Sequence, residues 1–125
     1  MGGGLGVIYS TESPQTAEEF AKKILPLFRG RKFQVIFEPG RFISANGGIL
    51  VGQVLYIKQT KVNNFAIVDT GMNDLIRPTL YDAHHEVYPL TRHEKKQKWV
   101  YDVVGPVCES GDFLAKDRQI QELAA

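Results

Sequence analysis

The first residues that can do chemistry form a glycine-rich segment at the start of the chain, Gly2-Gly3-Gly4-Leu5-Gly6. Consecutive glycines let backbone N–H groups converge on an anion, because no Cβ blocks the approach and positive φ angles cost little. Phosphate is the usual ligand of such a segment. A flexible tail explains the same glycines, and a phosphate-binding loop normally follows a strand, so both interpretations stay open.

A carboxylate and a guanidinium flank a proline-glycine pair in Glu38-Pro39-Gly40-Arg41, directly after the apolar run 33–37. In a barrel of parallel strands, the carboxyl ends of the strands form the active face. A carboxylate there can keep the nitrogen of an aromatic ring protonated, and an arginine can bind an oxyanion through two hydrogen bonds. A surface turn with a Glu–Arg ion pair is the alternative interpretation.

Arg77 and Tyr81 lie four residues apart, after an apolar run that ends at Asp69. One helical turn would bring both side chains to the same side, where they would suit a substrate carboxylate. His84 and His85 suggest a metal, but adjacent residues of regular structure face different ways and no further ligand lies at suitable spacing. We therefore predict no metal site.

The only cysteine, Cys108, lies beside Glu109 in a loop that begins with Gly105-Pro106 and ends with Gly111-Asp112. An isolated cysteine is usually a buried structural residue. The polar, turn-forming neighbours instead favour an accessible thiol that can act as an acid or a nucleophile. A Ser/His/Asp or Cys/His hydrolase is possible on residue types, but the spacing does not support one.

The elements that must position these residues change in character along the chain. Thr16 and Glu19 have capping-box spacing and begin an amphipathic helix that Pro26 distorts and Gly30 ends. Strands are predicted over 33–38, 49–58, 64–69 and 99–104, with a solvated connector over 91–98. Residues 1–44 thus have an α/β pattern and residues 45–125 a mostly β pattern.

The overall composition excludes several function classes. The chain has 125 residues and a net charge of +1, which indicates no nucleic-acid or membrane partner. One cysteine excludes an internal disulfide framework and fits a reducing compartment. No apolar run approaches the roughly 20 residues that span a bilayer. We therefore expect a cytoplasmic protein.

Taken in order, GGGLG, EPGR, DTGMNDLIRPTLYDAHH and GPVCESGD resemble the diaminopimelate decarboxylases. These enzymes depend on pyridoxal 5′-phosphate and combine an alanine-racemase-like barrel with a C-terminal β domain. The resemblance implies that residues 1–44 are the last part of a (β/α)8 barrel. Residues 45–125 would be a mostly antiparallel β domain, incomplete at its C-terminus. The implied reaction is decarboxylation of meso-2,6-diaminopimelate to L-lysine and CO2 in lysine biosynthesis.

The same resemblance implies roles for individual residues. Glu38 would face the pyridine nitrogen, and Cys108 would be the catalytic residue that returns a proton after CO2 leaves. An obligate homodimer is implied, because Cys108 and Glu109 of one subunit would reach the active site of the other. The cofactor positions would be Gly2, Gly3, Gly4, Glu38, Pro39, Gly40 and Arg41. The substrate positions would be Arg41, Arg77, Tyr81 and Glu109, with Glu109 on the distal ammonium.

One departure from the family is large. The Schiff-base lysine of these enzymes lies well before the glycine segment, and no lysine of this chain matches it. The chain thus resembles an internal fragment, which we expect to be inactive alone. Two alternatives stay open: a related decarboxylase acting on ornithine, arginine or carboxynorspermidine, and a non-catalytic truncated product.

Overall fold

The computed structural model describes residues 1–2, 4–91 and 97–125, and these form two compact units, Met1–Ile49 and Leu50–Ala125. Gly3 and residues 92–96 of the predicted connector lie outside the described residues. No helix in the described ranges is long and apolar enough to cross a membrane. The helices are α1 Ala17–Phe28, α2 Gly40–Ser44 and α3 Arg77–Tyr81, and the strands are β1 Val54–Gln59, β2 Asn64–Val68, β3 Lys98–Val104 and β4 Phe113–Gln121.

Helix α1 begins and ends where the sequence predicts. The Thr16 hydroxyl accepts a hydrogen bond from the Glu19 N–H at 3.2 Å, and the Glu19 carboxylate accepts one from the Thr16 N–H at 2.8 Å. The Thr16 N–H thereby lowers the pKa of Glu19. Pro26 lies in the last turn, and Gly30 beyond it takes a left-handed φ of 76°. The predicted capping box and glycine stop are both confirmed.

The apolar run 33–38 is extended, but it is not a strand of a sheet as predicted. Its backbone bonds instead to the first residue of the chain. The Met1 amino group donates to Ile36 O at 2.6 Å, and the Glu38 N–H donates to Met1 O at 3.1 Å. These two bonds form the pattern of a parallel ladder, in which Met1 is paired with Phe37 through the residues on either side of Phe37. The ladder contains this one pair. A sheet needs more partners than this segment has among the described residues.

Helix α1 packs on that extended run through aromatic rings. Phe20 and Phe37 meet edge to face with their centroids 5.9 Å apart, and Phe28 and Phe37 do the same at 6.4 Å. After Pro39 the chain enters α2. The Ile43 N–H donates to Pro39 O at 3.1 Å, because a proline directly before a helix supplies a carbonyl without needing a donor.

The second unit is a four-stranded mixed sheet in the order β1-β2-β3-β4. The outer pairs, β1–β2 and β3–β4, are antiparallel, and the central pair β2–β3 is parallel. A parallel pair requires a long crossover, and residues 69–97 provide it. Helix α3 lies in this crossover, so the sheet topology is what places Arg77 and Tyr81.

The core of this unit lies on β2, β3 and β4. Its largest fully buried side chain is Tyr101. The buried apolar residues are Ala66, Val68, Tyr101, Val103, Leu114, Ala115 and Ile120. The ladder of strand β1 begins at Val54, although the predicted run begins at residue 49, and Ile49 is 89% exposed.

The longest strand, β4, is absent from the sequence-based prediction. An extra residue on β4 between the pairs Tyr101–Arg118 and Val103–Ala115 shifts its register. Asp117 takes a φ of 53° at this bulge, and its N–H donates to the Asp102 carboxylate at 2.9 Å. A bulge breaks the two-residue alternation by which a strand is recognised, so the pattern gave no signal here.

Candidate functional site

Several of the predicted cofactor residues line one cavity in the Met1–Ile49 unit. The cavity has a volume of about 230 Å³, and its wall includes Gly2, Gly4, Glu38 and Pro39. The apolar part of the wall comes from α1, α2 and the extended run, through Ala17, Phe20, Ala21, Ile24, Leu25, Phe37 and Phe42. The fold thus brings Gly2, Gly4 and Glu38 to the same concave surface.

Arg41 adds a positive charge beside the glycine segment. A Cβ built on Gly4 would lie 3.6 Å from the Nη2 atom of Arg41, so the glycine backbone lies close to the guanidinium. Gly4 has a φ of 22°, and a Cβ on Gly2 would meet nothing within 4 Å. Unhindered backbone and a guanidinium are the donors that a phosphate binds. Gly3, the remaining glycine of the prediction, lies outside the described residues.

The predicted helical turn at Arg77 and Tyr81 is confirmed. Both residues belong to α3, and the Arg77 guanidinium carbon lies 5.6 Å from the centroid of the Tyr81 ring. Pro78, which is fully buried, fixes the start of this short helix, and Asp82 ends it with a left-handed φ of 50°. A guanidinium stacked on an exposed phenol is suited to binding a carboxylate by charge and hydrogen bonds. Substrate binding by this pair stays a prediction.

The two histidines near α3 differ in their surroundings. His84 Nε2 lies 2.9 Å from the Glu86 carboxylate. Partial burial lowers the pKa of His85, and the nearby charges of Arg77, His84 and Arg118 lower it further. The lowered pKa favours the neutral imidazole of His85. Among residues 1–2, 4–91 and 97–125, no group of three His, Cys, Asp or Glu side chains is placed to hold a metal.

The loop between β3 and β4 presents Cys108 and Glu109. The Cys108 side chain is exposed, which confirms the accessible thiol, and it lies at the centre of a tight turn closed by the Glu109 N–H and Val107 O at 2.8 Å. The Ser110 hydroxyl and the Gly111 N–H donate to the Glu109 carboxylate at 3.0 and 3.3 Å. These bonds lower the pKa of Glu109, so its side chain is anionic and suits an ammonium group.

Asp112 has no role among the sequence-based predictions, yet it is the buried charged residue of this region. It is 4% exposed, and its carboxylate accepts hydrogen bonds from the N–H groups of Met72 and Val107 at 2.7 and 2.6 Å. It therefore joins the segment before α3 to the segment that carries Cys108. Gly105 and Gly111 mark the loop in the sequence. The contact of Asp112 with Met72 joins residues 40 positions apart, so it leaves no local pattern.

Gly105 gives a direct test of this arrangement. A Cβ on Gly105 would overlap both carboxylate oxygens of Asp112, so Gly105→Ala must displace the carboxylate or the loop. We expect a loss of about 1–3 kcal/mol in stability, the usual cost of overpacking a buried position. The melting temperature of the complete polypeptide measures it. Gly48→Ala is the matched control, because a Cβ there meets nothing within 4 Å. Equal melting temperatures for the two variants would contradict the close packing around Asp112.

The functional candidates therefore divide between the two units. The described cofactor candidates, Arg41 included, lie in Met1–Ile49, and the remaining substrate candidates and Cys108 lie in Leu50–Ala125. Within the second unit, Asp112 connects the segments that carry Arg77 and Cys108. The roles of these residues stay predictions.

Comparisons of sequence and of structure find relatives that bear the same name. The chain is 52% identical over 121 residues to a diaminopimelate decarboxylase of Vibrio cholerae and 49% identical over 121 residues to that of Haemophilus influenzae. Each match covers 96% of this chain and 29% of the relative. The crystal structure of diaminopimelate decarboxylase from Helicobacter pylori complexed with L-lysine is 45% identical, with a TM-score of 0.86. That match covers 98% of this chain and 30% of the solved one.

The resemblance inferred from the four motifs is thereby confirmed, and the chain spans about 30% of the length of the relatives it matches. A family model described as "Pyridoxal-dependent decarboxylase, C-terminal sheet domain" matches residues 7–125, a range that includes every strand of the mixed sheet. The chain therefore belongs to the pyridoxal-dependent decarboxylase family and carries its C-terminal sheet domain.

Proposed function

We propose that the complete polypeptide containing this chain decarboxylates meso-diaminopimelate to L-lysine and CO2. The observation that carries the proposal is the combination of the Arg77–Tyr81 pair on α3 with the exposed Cys108 and anionic Glu109. Diaminopimelate has an amino-acid group at each end, so its distal carboxylate and ammonium each need a partner of opposite charge. Relatives about half identical to this chain bear the name of that enzyme, which supports the same assignment.

The residues of the first unit fit a phosphorylated aromatic cofactor. The cavity combines an apolar wall with Glu38, and the glycine backbone lies beside the Arg41 guanidinium. Pyridoxal phosphate, when bound, supplies the electron sink that lets the bond between the α-carbon and its carboxylate break. Gly2, Gly4 and Arg41 would hold the phosphate, together with the Pro39-Gly40 backbone. Glu38 would keep the proton on the ring nitrogen.

The second unit would hold and protonate the substrate. Arg77 and Tyr81 would bind the distal carboxylate, and Glu109 the distal ammonium, which fixes the reacting end relative to the cofactor. After the carboxylate leaves as CO2, the Cys108 thiol would donate its proton to the α-carbon. The thiolate that remains would recover a proton from solvent, since the side chain is exposed.

The wider assignment follows from the same reasoning. We propose that residues 1–44 are the last part of the barrel and that residues 45–125 begin the β domain. The lysine that binds the cofactor would lie elsewhere in the complete polypeptide. We also propose a cytoplasmic homodimer in which Cys108 and Glu109 act in the partner's active site. Exposure of both residues at the surface of this chain supports that arrangement.

Turnover by the complete polypeptide tests the proposed function. We expect the protein, loaded with pyridoxal phosphate, to release one CO2 and form one L-lysine for each meso-diaminopimelate consumed. Manometry or isotope release measures the gas, and amino-acid analysis measures the product. The same protein without added cofactor is the control. A protein that binds the cofactor and does not release CO2 would contradict the proposal.

A further inference from the structure

Asp112 makes bonds that differ from those of an ordinary surface aspartate. One carboxylate oxygen accepts the Met72 N–H at 2.7 Å, and the other accepts the Val107 N–H at 2.6 Å, while the residue is only 4% exposed. Its backbone also bonds locally, with its carbonyl accepting the Gly105 N–H at 3.1 Å. A buried carboxylate loses its hydration, so each of these backbone donors contributes more than it would at the surface. The bonds therefore fix the relative positions of two chain segments.

The backbone around this carboxylate leaves little other room. A Cβ on Gly71 would lie 2.8 Å from one carboxylate oxygen, and a Cβ on Gly105 would overlap both. A second bond joins the same two segments, from the Thr79 hydroxyl on α3 to the carbonyl of Gly111. Two connections thus hold α3 and the segment before it against the loop between β3 and β4.

The segments joined in this way carry the proposed substrate residues. Met72 lies five residues before Arg77, and Val107 directly precedes Cys108. In the proposed homodimer, the loop of one chain completes the active site of its partner, so a displacement of the loop would move Cys108 and Glu109 relative to the substrate held there. Misplacement by about 1 Å is enough to slow a reaction strongly, because the reacting groups must meet in one geometry.

We propose that Asp112 is a positioning residue of the decarboxylase: by joining the loop to the segment before α3, it fixes how the chain presents Cys108 and Glu109 to the partner's active site. The inference rests on the proposed function for its catalytic consequence. The structural part stands on the two hydrogen bonds and on the close packing against Gly71 and Gly105.

Asp112→Asn in the complete enzyme tests the inference with little change of shape. The amide has one acceptor oxygen in place of two, so one backbone N–H faces an NH2 group and loses its bond. Hydrogen exchange followed by mass spectrometry should show faster exchange in both 70–76 and 105–111. We expect kcat/KM for meso-diaminopimelate to fall about tenfold, with the content of bound pyridoxal phosphate unchanged.

Asp102→Asn is the matched control, because Asp102 also uses both carboxylate oxygens, toward the Asp117 N–H and the Asn63 amide. Its two hydrogen bonds lead to β4 and to the turn before β2 rather than to either joined segment, so we expect exchange in the two segments to stay unchanged and kcat/KM to stay within about twofold. Thr79→Val removes only the second connection and should give about a threefold loss, which keeps the test decisive if Asp112→Asn does not fold.

The outcomes separate the inference from the proposed function. Faster exchange in only one segment, or unchanged kcat/KM in spite of faster exchange in both, would overturn the positioning role. An equal loss of activity in Asp102→Asn would overturn it as well, because the effect would then be one of general stability. If the unmodified enzyme does not decarboxylate meso-diaminopimelate, the proposed function fails. Hydrogen exchange would still decide whether Asp112 joins the two segments.

Discussion

Replacement of Cys108 by serine in the complete enzyme is expected to lower kcat for meso-diaminopimelate by about 100-fold, with KM nearly unchanged. The exposed thiol is the group we propose as proton donor to the α-carbon, and an alcohol gives up a proton far less readily. A positioned acid typically contributes about 10²–10⁴-fold to a rate. Since the hydroxyl has nearly the same shape, substrate binding should be preserved. Steady-state kinetics with bound cofactor measure the effect.

Val107→Ala is the matched control for this variant. Val107 is 44% exposed and directly precedes Cys108, and its backbone N–H, which bonds to Asp112, is retained in alanine. We expect kcat to stay within about twofold, as is usual for a surface truncation. A Cys108→Ser enzyme with normal kcat would show that another group supplies the proton. A rise in KM without a change in kcat would instead assign Cys108 to binding.

Arg77→Gln should raise KM for meso-diaminopimelate by about 100-fold. The guanidinium lies over the Tyr81 ring, which limits its orientations and presents its donors as a fixed fork. Loss of that charge would leave the distal carboxylate without its main partner. Arg77→Lys keeps the charge and loses the fork, so we expect an intermediate effect of about tenfold. The KM values of the two variants in the complete enzyme measure both contributions.

Lys116→Gln provides a matched control, because Lys116 also lies over an aromatic ring, 3.8 Å from the centroid of Phe113. It is exposed on β4 and belongs to no proposed site, so KM should stay within about twofold. If Arg77→Gln and Lys116→Gln had equal KM values, Arg77 would not bind the substrate carboxylate. If the Arg77→Lys and Arg77→Gln enzymes had equally high KM values, the fork geometry of the guanidinium rather than its charge would dominate substrate binding.

Local features of the fold could be predicted from the sequence because they depend on neighbouring residues. The Thr16–Glu19 capping box, the left-handed Gly30 and the helical turn from Arg77 to Tyr81 each depend on residues within one or two turns. The exposure of Cys108 also follows from its polar neighbours. The four motifs identified the family because their order and spacing are specific to it.

Long-range features could not be predicted in the same way. Strand β4 is hidden by the bulge at Asp117, and the parallel pairing of β2 with β3 depends on a crossover of nearly thirty residues. The run 33–38 has the composition of a strand, but composition does not supply ladder partners. Asp112 acts through Met72 in a different segment, so its role becomes visible only in three dimensions.

We predict above all that the enzyme containing this sheet domain recognises a substrate with a distal carboxylate. The most direct test is kcat/KM of the complete enzyme for meso-diaminopimelate, compared with D-lysine, which keeps the reacting end and lacks only the distal carboxylate, and with L-ornithine. We predict a preference of at least about 1000-fold for meso-diaminopimelate, because a site built to bind a polar group rejects analogues without it. That preference should largely disappear in Arg77→Gln. Comparable kcat/KM values for the three amino acids in the unmodified enzyme would contradict the claim.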